Sequence, residues 1–94
     1  MVVIGKDIIV EFSYKHPDAR GNLAAWLAEV ENSEWENPHK LKERYPRASI
    51  LGNKRVVFDI RGNEYRLLAT VSYKHGTVVV EKIGTHAEYD TWTL

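Results

Sequence analysis

Apolar positions recur at helical spacing in the first half of this chain and alternate in the second. Leu23, Trp26, Leu27 and Val30 fall at i, i+3, i+4 and i+7, which predicts an amphipathic helix over residues 19–34. Glu29, Glu31 and Glu34 lie off that stripe, and Trp26 on it reads as core. Ahead of it, Ile8, Ile9 and Phe12 share one face of a helix running from Asp7 to about Lys15. Asp7 stands near its start, where the helix dipole favours a carboxylate. Met1 to Ile4 is an apolar run suited to a buried strand, and Gly5 breaks it. His16-Pro17 closes the first helix, because proline disfavours helical geometry in the residue before it. Asp18 has the chemistry of a cap for the next helix.

Asn37-Pro38 is a cap followed by a first-turn proline. A short helix follows to about Tyr45, with Leu41 and Tyr45 facing inward and Pro46 ending it. Its outer face carries Lys40, Lys42, Arg44 and the trailing Arg47, which is either a solvated face or the flank of a phosphate-binding groove. From Ala48 the period becomes two. Ala48–Leu51 is a short strand, Gly52-Asn53 a turn, and Arg55–Ile60 a strand. Arg61-Gly62-Asn63-Glu64 connects it tightly to Tyr65–Tyr73, and Lys74-His75-Gly76 leads to a last strand, Thr77–Ile83. Turns this short imply an antiparallel meander. The N-terminal helices must cover one of its faces, because a lone meander cannot bury its apolar side.

The 94 residues predict one small domain spanning 1–94, with 44% apolar residues as in globular proteins. There is no cysteine, which excludes disulfides and thiolate zinc sites and fits a reducing cytoplasm. No run approaches the roughly 20 apolar residues of a membrane span. Met1–Ile4 is too short for a signal h-region and has no basic segment before it. Net charge is zero, yet residues 1–37 hold three bases against seven acids and residues 38–94 ten against six. That asymmetry predicts a basic working face and an acidic back.

Parity within the strands sets the faces. Val56, Phe58 and Ile60 point one way, and Arg55, Val57 and Asp59 the other. Tyr65, Leu67, Ala69 and Val71 alternate with Arg66, Leu68, Thr70 and Ser72. The second set is less apolar and belongs to the face away from the helices. Arg66 on that face is either an ion-pair partner of Asp59 or Glu81, or a phosphate clamp, since guanidinium presents a planar fork of donors. After the last strand, Gly84-Thr85-His86-Ala87-Glu88-Tyr89-Asp90 gathers an imidazole, two carboxylates, a phenol and a hydroxyl. That mixture is either a polar cap or a catalytic sheet end. Lys54 and Arg55 at the mouth of the hairpin, with His86 and Tyr89, are expected to ring one end of the open face. The set suits RNA cleavage without a metal: a base for the 2′-hydroxyl, an acid for the leaving 5′-oxygen, and cations for the phosphorane. The four histidines show no ligand spacing, and no Gly-rich phosphate loop occurs. Trp92 is expected to pack back on the sheet rather than stack on a base.

The runs His16-Pro17-Asp18-Ala19, Asn37-Pro38, Pro46 to Asn53, Arg55 to Ile60, Gly62-Asn63-x-Tyr65-Arg66-Leu67 and Gly84 to Asp90 resemble the HigB family of bacterial toxins, in the RelE-like group. The resemblance spans nearly the whole chain. It implies an α+β fold of the microbial-RNase type, an antiparallel sheet with N-terminal helices on one face. It also implies a ribosome-dependent, metal-independent mRNA endoribonuclease without cofactor. The implied partner is a HigA-type helix-turn-helix antitoxin, through which alone operator DNA would be reached. Arg66, His86 and Tyr89 match the family's catalytic motifs, while Lys54, Arg55 and Lys82 are expected to bind RNA. Many members carry a basic residue where this chain has Glu81 and an apolar one where it has Lys82. Glu81 on the open face would weaken phosphate attraction or pin Arg66. A weakened toxin retained as an antitoxin-binding partner, and a gyrase poison on the same fold, are the competing readings.

Overall fold

The computed structural model describes residues 1–94. Five strands form one sheet: β1 (Val2–Ile4), β2 (Ser49–Ile50), β3 (Arg55–Ile60), β4 (Tyr65–Ser72) and β5 (Thr77–Thr85), in the spatial order β1-β5-β4-β3-β2. The meander from β2 to β5 is antiparallel, as the short turns predict. β1 joins its edge in parallel, pairing Val2 with Thr77 and Ile4 with Val79. A parallel edge requires a long connection, and the helices supply it. Only Val3 of that strand is buried, while Val2 and Ile4 are exposed. The expected buried strand is therefore an edge strand.

Helix α1 (Lys6–Lys15) begins directly after Gly5. Gly5 has a φ of 95°, and a Cβ there would lie 2.7 Å from the Val80 carbonyl oxygen, so both backbone angle and space demand glycine. A short 3₁₀ turn, Pro17–Ala19, leads into α2 (Arg20–Glu31). Asp18 does not cap α2. Its carboxylate accepts from the Tyr65 hydroxyl at 2.7 Å and pairs with Arg61 at 2.8 Å, tying this corner to β4. Helix α3 (Pro38–Arg44) is capped as expected, the Asn37 Oδ1 accepting from the Lys40 N–H at 3.0 Å.

Ile9, Phe12, Leu23, Trp26 and Val30 from the helices meet Val56, Phe58, Ile60, Leu67, Ala69, Val71, Val78 and Val80 from the sheet. Phe58 is the hub, with the rings of Trp26, Trp35 and Tyr45 at 5.3, 6.3 and 5.2 Å. Truncating so enclosed an aromatic costs about 3–5 kcal/mol. The core face thus follows the predicted parity. The second face is not bare: Val57 and Leu68 point to it, yet are 1% and 0% exposed. The last residues lie along it, Trp92 against Gly84 and Leu94 beside Leu51 and Arg55. Trp92 packs back on the sheet as expected.

Candidate active site

Arg66 and Asp59 are direct cross-strand neighbours, and Gly84 faces Arg66 from β5. Strand pairing alone therefore places one guanidinium, one carboxylate and a side-chain-free gap in a row. Arg66 Nε lies 3.3 Å from Asp59 Oδ1. Its Nη1 donates to the Asn63 carbonyl at 3.0 Å, and its Nη2 to Asn63 Oδ1 at 2.7 Å. The guanidinium also lies 5.3 Å from the centre of the Tyr89 ring. With 11% of its side chain exposed, Arg66 is fixed on several sides, and Nη2 keeps an N–H for a further acceptor. Of the two readings of Arg66, the ion pair is the one met here, and its partner is Asp59 rather than Glu81. Asn63, which holds it most closely, gave no signal in the sequence beyond a turn.

Tyr89 arrives on α4 (His86–Tyr89). Thr85 caps this helix reciprocally: its Oγ1 accepts from the Glu88 N–H at 3.1 Å, and its own N–H donates to Glu88 Oε1 at 2.8 Å. That backbone N–H holds the Glu88 carboxyl below its ordinary value. The His86 N–H donates to the Glu64 carbonyl at 2.9 Å, anchoring α4 to the turn beside Asn63. The His86 Nδ1 faces Asp90 Oδ2 at 3.4 Å, with about half the imidazole exposed. Beyond Tyr89 comes Trp92, edge-on at 5.4 Å, and then Lys82, whose Nζ sits 4.9 Å over the indole. Arg66, Tyr89, Trp92 and Lys82 thus form a row with a cation at each end and two rings between. A Cβ on Gly84 would lie 2.8 Å from the indole, so glycine makes room for Trp92.

Lys54 and Arg55 do not join this end. β5 runs in the direction of β3, so His86 follows the end of β3, where Ile60 lies, and Arg55 stands at its start. Four residues of strand, roughly 13 Å, separate Arg55 from Asp59. Arg55 pairs instead with Glu81 at 3.7 Å, and Glu81 also accepts from the Thr70 hydroxyl. Lys54 is exposed in the turn, in left-handed backbone with φ 63°. Glu81 lies on this face, as feared, but pins Arg55 rather than Arg66. A register break opposite Leu68 and Ala69 leaves Glu81 unpaired between Val80 and Lys82, which turns both Glu81 and Lys82 toward this face. No group of three or more His, Cys, Asp or Glu could hold a metal ion.

A family model, HigB_toxin, described as the RelE-like toxic component of a toxin-antitoxin system, matches residues 19–92. This chain belongs to the HigB toxin family. The "mRNA interferase HigB" of Escherichia coli O6:H1 is 26% identical over 95 residues, which cover 99% of this chain and 92% of that one. The "mRNA interferase HigB" of Shigella flexneri is 26% identical over the same length, covering 99% of this chain and 91% of its own. The sheet with helices on one face is the α+β arrangement expected of a RelE-like HigB toxin. The Arg66–Tyr89 contact lies within the matched residues, and so do His86 and Lys82.

Proposed function

We propose that this HigB toxin is an mRNA interferase that cuts message on the ribosome, and that a HigA-type helix-turn-helix antitoxin neutralises it. The observation that supports this most is Arg66, stacked on Tyr89, braced by Asp59 and Asn63, and keeping a donor free. Its guanidinium stabilises the charge that builds on the phosphorus oxygens during attack. His86 moves the proton. Asp90 Oδ2, 3.4 Å from His86 Nδ1, favours the proton on that nitrogen and leaves Nε2 to take the proton of the 2′-hydroxyl. The 2′-oxygen then bonds to phosphorus as the bond to the 5′-oxygen breaks, and the imidazolium or water returns a proton to that oxygen. Tyr89 positions Arg66 with its ring. Lys82, with Lys54 and Arg55 farther along the face, holds the flanking backbone. Operator DNA is reached only through the antitoxin, and the reaction needs no metal.

The test is mapping of transcript ends after brief induction without antitoxin. New ends within translated regions are expected for the wild type. They should vanish for Arg66→Ala and fall about 10²- to 10⁴-fold for His86→Ala, with thermal melts confirming that both variants fold. Arrest with DNA breaks and no mRNA cuts would sink the interferase reading in favour of a gyrase poison. Glu81 on the working face and a net charge of zero favour a second reading, a catalytically weak partner of the antitoxin. Neither arrest nor cuts would decide for it.

A further inference from the structure

The basic run of α3 and its trailing residue is not solvated surface alone. Lys42 Nζ donates to the Pro46 carbonyl at 2.7 Å and also to the Ala48 carbonyl, clamping the 46–48 segment in place. Arg44 pairs with Glu29 and lies over the Tyr45 ring at 5.2 Å. Lys40 faces Glu43. Arg47, with 68% of its side chain exposed, reaches Asp59 Oδ2 at 3.5 Å. Between this segment and β3 lies a cavity of about 220 Å³. Its walls include Tyr45, Pro46, Ala48 and Phe58, and its rim Arg44, Arg47 and Asp59. β2 pairs only with Val56 and Val57, so the cavity opens where β3 has lost its strand neighbour.

Three features define what fits. Tyr45 and Pro46 give the wall an apolar surface for a planar ring, while Phe58 and Ala48 are buried. The volume lies below the roughly 300 Å³ at which sites for drug-sized ligands begin. The rim offers guanidinium for a phosphate and a carboxylate for an amino group. Asp59 is also the carboxylate that braces Arg66 from its other oxygen, so the cavity is one side chain away from the phosphate clamp. We propose that this cavity holds one nucleobase of the message next to the cleaved phosphodiester, with Arg47 on its phosphate and Asp59 accepting from its amino edge. The assignment rests on the mRNA interferase reading and adds to it the place where base preference is set. Asp59 is the specificity residue, Arg47 holds the adjoining phosphate, and Lys42 positions the wall.

The test is an NMR titration of the purified full chain, free of antitoxin, with each of the four ribonucleoside 5′-monophosphates and with inorganic phosphate. The Ala48 methyl and the Asp59 amide report on the cavity, and the Trp92 indole N–H on the other face. One or two mononucleotides should shift the cavity signals saturably while Trp92 stays in place. Arg47→Ala should weaken that binding about tenfold. In transcript-end maps, Arg47→Ala should weaken cutting at all sites alike, and the cuts that remain in Asp59→Asn should show a changed base preference at one position beside the cut. Cavity signals unmoved by all four mononucleotides, moved equally by inorganic phosphate, or unchanged in affinity by Arg47→Ala would overturn the proposal. Saturable binding without any mRNA cuts by the wild type would leave the cavity standing and remove the interferase reading instead. Cuts without binding would do the reverse.

Discussion

Arg66 shows how far a single residue can be read before its neighbours are known. Its face follows from strand parity, and its pairing with Asp59 from a hairpin with a short turn. What parity cannot supply is Asn63, whose carbonyl and side-chain oxygens both reach the guanidinium only because the turn at Arg61 and Gly62 adopts positive φ. Lys54 and Arg55 were misplaced for a related reason. Counting along β3 gives their face but not the end of the sheet at which β5 finishes. The Tyr89 ring is expected to act through its face and not its hydroxyl alone. A cation over an aromatic ring contributes about 0.5–2 kcal/mol. Tyr89→Phe should therefore keep most cleavage of ribosome-bound mRNA, whereas Tyr89→Ala should lose at least several-fold more. Equal losses in the two variants would assign the effect to the hydroxyl.

The helices and the meander were legible as elements because each carries a long, clean period. Their ends were less so. The helix expected over 19–34 starts at Arg20, after a 3₁₀ turn, and ends at Glu31, and the Asp18 carboxylate goes to Tyr65 instead of a cap. The parallel pairing of β1 leaves no local signature, since it joins residues far apart in the chain. The register break beside Glu81 is equally silent, although it decides which way Lys82 points. At this scale α4 is the element that matters. It is only four residues long, too short to hold itself, and depends on its reciprocal cap. Thr85→Ala should cost about 1 kcal/mol, read as a lower denaturation midpoint at unchanged m-value. Its loss of cleavage should exceed what that small drop in folded population explains, because α4 carries both His86 and Tyr89. Activity that merely tracks stability would show that α4 is held mainly by Trp92.

For the molecule as a whole, charge and topology set its behaviour. The Asp18 carboxyl is held below its ordinary value chiefly by the Tyr65 hydroxyl, which outweighs partial desolvation and is aided by Arg61. The Glu88 carboxyl is lowered by the Thr85 N–H. A carboxyl with a depressed folded pKa stabilises fully above the unfolded value of about 4 and loses that contribution as pH falls through the folded one. Melting temperature should therefore hold down to about pH 4 and fall below it, and Tyr65→Phe should make that fall shallower. An unchanged slope would remove Asp18 from the account. The Tyr65 phenol is shifted the other way, upward, first by its bond to Asp18. Its contribution is present below its ordinary value of about 10 and is lost as pH rises through the folded one.

The strand order also fixes when the toxin becomes complete. Val2 pairs with Thr77, so about 75 residues must be made before the first strand finds its partner. At roughly 5–20 residues per second, that is on the order of 4–15 s of translation. The sheet thus closes late, from its last-made strand, and the helices wait on an unfinished floor. The clamp closes later still, because the ring under Arg66 belongs to residue 89. A chain released before that point carries the arginine without the ring on which it rests.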